Sequence, residues 1–432
     1  MLDLSFLLMY ICWALLPDTQ TPRFEIASIP VNSKDIINIA IACLYFLLPA
    51  VKNSRATKHN LNINWHSYLP LLTVSLLLYA AASVEWSGMN KTDSIAMRYT
   101  LLLTGAACLV GYYLIAKRDS RSVHPFIWRL TVLLSVVGLL YTAQSFFSLG
   151  LTTPDDFEAE QFGIQRVRGP LFVSTTGFFI LLPALAFAIQ EFIKSHSHRL
   201  FKASVVFSLV ITIIGLGART GLILLAIFFL LLMFFMKNNK QAKMALVIMI
   251  IVTMAAILLF FSKAKTDRLQ SLEDTTRSDT YLTSFQIIQH RTQQVNIFGS
   301  GYGSYWPWYI PDFEGARETN QYFDLVWNPY GSLLYHPHST FLLCIVELGI
   351  PGLIYFVCLW TILYRLLLSN LQSAEFSIFN CGIFASGFSM FFDFFIFRSA
   401  QVNTLWWIFL FGALALNFNV GTAKAENNKH SR

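Results

Sequence analysis

From Leu2 almost to its end the sequence keeps returning to apolar stretches long enough to cross a bilayer, and this sets the fold class before any other feature. Windows that cover about 30 Å of hydrocarbon pick out about twelve such segments. They begin near Leu2, Ile36, Tyr68, Ala96, Phe126, Phe172, Ala203, Thr220, Met244, Thr340, Phe376 and Thr404. Backbone groups in hydrocarbon need internal partners, so the expected fold is an all-α polytopic membrane protein. Composition agrees: 55% of the residues are hydrophobic and 13% charged, where a soluble domain carries about 25% charged. With 39 Phe in 432 residues, one or two soluble domains would be left with apolar surface they have no interior to hide.

The same counts exclude collagen-like, disordered and disulfide-scaffold classes, since Gly is 22, Pro is 14 and the six Cys are scattered. Cys12, Cys43, Cys108, Cys344 and Cys358 lie inside apolar runs and Cys381 near the start of another, as small buried hydrophobes would. No Cys-x-x-Cys or Cys/His spacing points to zinc. The first apolar segment follows Asp3 with no basic residues ahead of it, and Leu15-Leu16-Pro17-Asp18 offers no small-residue cleavage site, so it reads as a retained helix.

A net charge of +7 raises nucleic acid as a partner, but the basic residues form no continuous stripe. They mark topology instead. Lys52 to Lys58, Lys117 to Arg129, Lys194 to Lys202, Lys237 to Lys243, Arg365 and the tail from Lys424 hold 17 of the 31 Lys and Arg with very few acids. The positive-inside rule puts these loops and both termini in the cytoplasm. The opposite loops hold Asp155, Asp156, Glu158, Glu160, Asp267, Glu273, Asp274 and Asp312.

The expected organisation is an N-terminal bundle of about nine helices over 1–262, a large outward loop over 263–339, C-terminal helices over 340–420 and a tail over 421–432. The large loop contains Tyr302, Tyr305, Trp306, Trp308, Tyr309, Tyr322 and Trp327, and Ser284 to His290 reads as part of a helix. It is too aromatic for a disordered linker and is expected to fold as a helical cap between helices 9 and 10. Its Trp and Tyr side chains are read either as interfacial anchors or as platforms for sugar rings. No internal repeat is visible.

Charge inside the apolar pattern points to the chemistry. Arg219 interrupts Gly215-Leu216-Gly217-Ala218-Arg219-Thr220-Gly221 between two spans with almost no loop. A cation at that depth needs an anionic partner or a wet cavity, unless it snorkels to the interface. Arg98, Arg166, Arg168, Arg277 and Arg398 also lie at outward ends, Arg398 five residues after Asp393, with which it can pair. The planar donor fork of arginine suits phosphate, so several converging there would bind a lipid-linked diphosphate without a metal.

Tyr335-His336-Pro337-His338-Ser339-Thr340 precedes the apolar run that contains Glu347-Leu348-Gly349-Ile350-Pro351-Gly352. An outward imidazole with a pKa near 6.5 accepts a proton at neutral pH, as transfer to a sugar hydroxyl requires. His338 is thus either a general base or a capping or interfacial histidine. Glu347 reads as facing a polar cavity or packed as a hydrogen-bonded acid, with no catalytic role. Phe298-Gly299-Ser300-Gly301-Tyr302-Gly303 has no Walker lysine after it and reads as a turn in the cap. No Asp-x-Asp pair is present to hold a divalent ion for a nucleotide sugar.

These stretches together resemble the O-antigen ligase and polymerase family of bacterial envelope glycan assembly. Ser83-Val84-Glu85-Trp86-Ser87 before Arg98 looks like the family's early Trp-Ser element, and Arg168-Gly169-Pro170-Leu171-Phe172 is similar to its Arg-Gly-x-Phe motif. Gly217-Ala218-Arg219-Thr220-Gly221 matches its arginine between two helices. The Gly-rich stretch followed by His338 and Glu347 to Gly352 matches its C-terminal hallmark, so the likeness runs from about Ser83 to Arg398. One departure stands out: the family commonly has Asn after the key histidine, where this chain has Ser339, whose hydroxyl would orient the imidazole or cap the following helix.

The resemblance implies a polytopic helical bundle with a periplasmic cap in the bacterial inner membrane, and a donor glycan carried on undecaprenyl diphosphate. Arg219 and Arg277 would hold the diphosphate, with Arg291 competing for the second place. His338 would deprotonate the acceptor hydroxyl, giving inversion with no metal, nucleotide or other cofactor. Arg98, Arg168, Arg291, His336 and Arg398 are further candidates for substrate contact. The acceptor is lipid A core for a ligase, another lipid-linked repeat unit for a polymerase and protein in some relatives; the ligase is preferred here. The rival from another class is a transporter or exporter of lipid-linked glycan, for which charges near mid-membrane and duplicated halves would be expected.

Overall fold

The computed structural model describes residues 23–26, 29–32, 68–88, 91–116, 120–147, 160–161, 164–165, 177–194, 197–216, 219–236, 275–306, 339–372, 377–393, 395–398 and 400–430, with isolated positions between them. The apolar segments expected from Leu2 and Ile36, most of that from Met244, and Arg168, His336 and His338 lie outside the described residues. Of Arg219, Arg277 and Arg398 the backbone is described and the side chain is not.

The described chain is built from helices. In order they are α1 (Tyr68–Ser83), α2 (Lys91–Ala116), α3 (Ser120–Phe147), α4 (Gly177–Lys194), α5 (Arg199–Gly215), α6 (Arg219–Met236), α7 (Thr275–His290), α8 (Gln293–Phe298), α9 (Thr340–Val346), α10 (Gly349–Gln372), α11 (Ile378–Gly387), α12 (Phe395–Arg398) and α13 (Ala400–His430). Short 3-10 turns follow α1 (Val84–Trp86) and α11 (Phe388–Phe391). Beside the helices stand two antiparallel strand pairs, Arg23–Ile26 with Ile29–Asn32 and Glu160–Gln161 with Ile164–Gln165. The alternation Arg23-Phe24-Glu25-Ile26 is the period-two pattern that a strand requires.

Among the described residues five helices are long and apolar enough to cross a membrane: Tyr68–Trp86, Lys91–Ala116, Ser122–Gln144, Gly177–Lys194 and Gly349–Ser369. The chain is a helical membrane protein. Each apolar segment expected from Tyr68 onward, apart from that at Met244, coincides with a helix. The segment from Thr340 is broken in two at Glu347–Leu348, so α9 is too short to span and stands ahead of the membrane helix α10.

At the centre is α4, apolar on every face and buried from Gly177 to Glu191, as expected for a helix enclosed on all sides. Helices α3, α5, α6, α11 and α13 pack around it. Small residues let backbones approach, the main source of helix association where lipid is as apolar as the side chains. A Cβ at Gly382 of α11 would stand 2.2 Å from Ala186 of α4, and one at Gly111 of α2 would stand 2.5 Å from Trp407 of α13.

Buried polar pairs fix the sliding of these helices. Asn380 of α11 and Asn417 of α13 exchange amide hydrogen bonds of 3.1 and 3.0 Å, and Asn380 also donates to the Leu366 carbonyl of α10. Toward the lysine- and arginine-rich ends, His124 of α3 is bonded to Glu191 of α4 at 2.8 Å, and Lys202 of α5 donates to the Glu191 carbonyl. The opposite ends, where α1 and α11 finish and α2, α4, α6, α9 and α13 begin, carry the candidate site.

Candidate functional site

The site is assembled on a joint between the Gly-rich loop after α8 and the break between α9 and α10. Gly299, Gly301, Gly303 and Gly349 all have positive φ, between 62° and 98°, a region that glycine enters without steric cost. At Gly299 and Gly349 the glycine is also demanded by space: a Cβ on Gly299 would lie 2.1 Å from the Glu347 carbonyl oxygen, and one on Gly349 would lie 2.4 Å from the Gly299 nitrogen. The close approach brings the Ser300 and Gly301 N–H groups onto the Val346 and Glu347 carbonyls at 3.3 and 3.0 Å.

Glu347 holds the rest of the loop. Its carboxylate is fully buried and accepts three backbone N–H groups, from Gly303 at 2.8 Å, Tyr305 at 3.1 Å and Trp306 at 3.0 Å. Burial pushes the carboxyl up to about 8 against the downward pull of those three donors. Of the two readings open from sequence, this is the packed, hydrogen-bonded acid. Tyr302 and Trp306 are buried too, at 0% and 2% exposure, Trp306 against Ile287 and Val346. They form the interior of the loop and serve neither as interfacial anchors nor as open platforms for sugar.

The loop is bound on its other side to α1. Tyr302 N–H donates to Ser83 Oγ at 3.0 Å and the Tyr79 hydroxyl donates to the Phe298 carbonyl at 2.5 Å. Next to it, Arg98 forms an ion pair with Glu85 and donates from Nε to the Ala81 carbonyl at 3.2 Å, tying α2 to the end of α1.

Arg291 stands between α7 and α8 and is committed inside the fold. Its Nη1 and Nη2 donate to the last carbonyls of α9, Val346 at 2.6 Å and Ile345 at 3.1 Å, and its Nε donates to Asn296 Oδ1. A cation on carbonyls at a helix C-terminus is favoured by the helix dipole as well as by the bonds. Burial pulls its pKa below the usual arginine range, and a guanidinium still stays protonated at neutral pH.

On the far side of α9 the other arginine-bearing segments meet. Ser339, fully buried, is the N-cap of α9: its backbone is extended and its Oγ accepts from Leu342 N–H at 3.3 Å. The hydroxyl expected either to orient His338 or to cap the helix therefore caps it. Thr340 donates from both N–H and Oγ1 to the Asp393 carbonyl, at 3.0 and 2.9 Å. That bond brings the start of α9, directly after His338, against the 3-10 turn and the segment leading to Arg398. Helix α7, with Arg277 in its first turn, packs on α9, and α6, which Arg219 opens, touches the same 3-10 turn.

One residue at this meeting point was passed over in the sequence. The Tyr281 hydroxyl on α7 donates to the Phe391 carbonyl at 2.5 Å and reaches Ser339 Oγ at 3.2 Å. Its signal was weak: a tyrosine one helical turn after Arg277 in a polar stretch. The anchoring role of Glu347 was likewise invisible, because its partners are backbone groups more than forty residues earlier.

Part of this site lies in a span that a known family model matches. A comparison with curated proteins finds no match. Residues 203–357, a span holding Arg219, Arg277, Arg291, His338 and Glu347, match the family model described as O-antigen ligase.

Proposed function

We propose that the chain transfers a glycan from undecaprenyl diphosphate to an acceptor hydroxyl on the periplasmic side of the bacterial inner membrane, as the ligase that joins O-antigen to lipid A core. The observation that carries this reading is the meeting of helix α7 and the start of α9, both inside the family-matching span, with the Asp393 segment beyond it, so that backbone positions near Arg277, His338 and Arg398 lie on touching segments.

In this reading His338 takes the proton of the acceptor hydroxyl, whose oxygen attacks the anomeric carbon from the face opposite the diphosphate. The bond from carbon to phosphate oxygen breaks as the new glycosidic bond forms, so the configuration inverts and undecaprenyl diphosphate leaves with the electron pair. Arg219 and Arg277 stabilise the charge developing on that leaving group. Arg291 is a strut between the α7–α8 turn and the end of α9, which favours Arg277 as the second diphosphate ligand. The family match supports a ligase or a polymerase alike, and the ligase is the reading put to the test.

The test is the envelope glycan profile of a deletion strain, with lipopolysaccharide run beside an extract of undecaprenyl-linked glycan. A ligase predicts long chains missing from lipid A core and accumulating on undecaprenyl. Single repeat units on either carrier would make the chain a polymerase, and an unchanged profile would refute both.

A further inference from the structure

We infer that Tyr281 is a positioning residue of the transfer reaction, whose hydroxyl sets the separation between the arginine helix and the histidine. The inference rests on the reading of Arg277 as diphosphate ligand and His338 as base. Those two residues lie on segments distant in sequence, and catalysis needs the leaving group and the attacking hydroxyl in line to within fractions of an ångström.

Tyr281 lies four residues after Arg277 on α7, and residues four apart share a helix face. Its hydroxyl reaches the two other segments at once, the Phe391 carbonyl at 2.5 Å and Ser339 Oγ at 3.2 Å. Ser339 is the residue directly after His338 and is itself fixed, with its Oγ bonded to Leu342 N–H and to the Met390 carbonyl at 3.4 Å. The phenol thus sets α7 against both the start of α9, directly after His338 in sequence, and the turn that leads to Asp393. The serine directly after the histidine supplies the hydroxyl that this phenol meets.

The test compares Tyr281→Phe, Ser339→Ala, the double variant and His338→Ala in the purified full-length protein, with the total lipid extract of cells lacking it as source of donor and acceptor. Tyr281→Phe keeps the ring and removes only the oxygen. Turnover per folded molecule is expected to fall about 10- to 100-fold, the effect of a misplacement near 1 Å, with the apparent KM for the extract within about threefold of wild type. The double variant should lose less than the product of the two single losses, because the contact between Tyr281 and Ser339 is already broken in each single variant.

Wild-type turnover in Tyr281→Phe beside an inactive His338→Ala would overturn the assignment of Tyr281 alone. So would a loss in Tyr281→Phe explained wholly by a smaller folded fraction, or additive losses in the double variant. Transfer retained by His338→Ala would overturn the base, and the inference with it.

Discussion

Substituting Arg291 separates a strut from a substrate ligand. The guanidinium makes three donated bonds, two of them to the terminal carbonyls of α9. Lysine at this place reaches one carbonyl and cannot fork to the second or keep the bond to Asn296. A hydrogen bond to a charged group nets about 1.5–3 kcal/mol, and the second lost bond is to an exchangeable polar partner, so Arg291→Lys should weaken docking of the Gly-rich loop by about 2 kcal/mol. That is roughly a 30-fold rise in the undocked population. Hydrogen exchange reads it directly, at the Gly303, Tyr305 and Trp306 amides that bond to Glu347. Exchange there should quicken about 30-fold, while the donor concentration for half-maximal transfer by the docked protein stays near wild type. Unchanged exchange together with a tenfold or greater rise in that concentration would refute the strut and make Arg291 a diphosphate ligand.

Arg219→Lys should be severely impaired in transfer if bidentate phosphate binding is its task, whereas an interfacial anchor would tolerate the change; near-normal turnover decides for the anchor. Glu347, raised to about 8 from 4.5, keeps in the folded chain a proton that the unfolded chain has released. The stability it contributes is full below pH 4.5 and is lost as pH rises through about 8. Melting temperature in detergent should fall over that window and Glu347→Gln should flatten the fall, so equal slopes would refute the assignment. Gly299→Ala, whose Cβ would meet a backbone oxygen at 2.1 Å, should leave the loop undocked, seen as rapid cleavage near residue 300 by added protease; wild-type resistance would refute the close approach. Transfer should survive chelation, and loss rescued by a divalent cation would replace arginine with metal as the charge stabiliser.

What the sequence made legible were the features carried by local pattern. Apolar length located the helices from Tyr68 onward, and Ser284 to His290 was readable as part of a helix, since both depend on residues near in the chain. The candidate arginines stood out because a charge beside an apolar run is unusual. What those arginines do was not readable. Arg98 and Arg291 look as available as Arg219 in a string of letters, and only folding brings Glu85 and the end of α9 against them. The break at Glu347–Leu348 was hidden for the same reason, because Thr340 to Ser369 is apolar enough to pass as one helix until the Gly-rich loop packs on its bend.

Bonding of the Gly-rich loop to Ser83 bears on the autonomy of the family segment. The matched span begins at residue 203, but Tyr302 donates to Ser83 Oγ and a Cβ on Gly301 would lie 2.5 Å from the Ser83 carbonyl. An excised fragment limited to the match would lack half of the seat into which its own signature fits. Two separately expressed halves divided after α6, by contrast, would each keep one face of that seat, and recovery of activity on co-expression would report their reassembly.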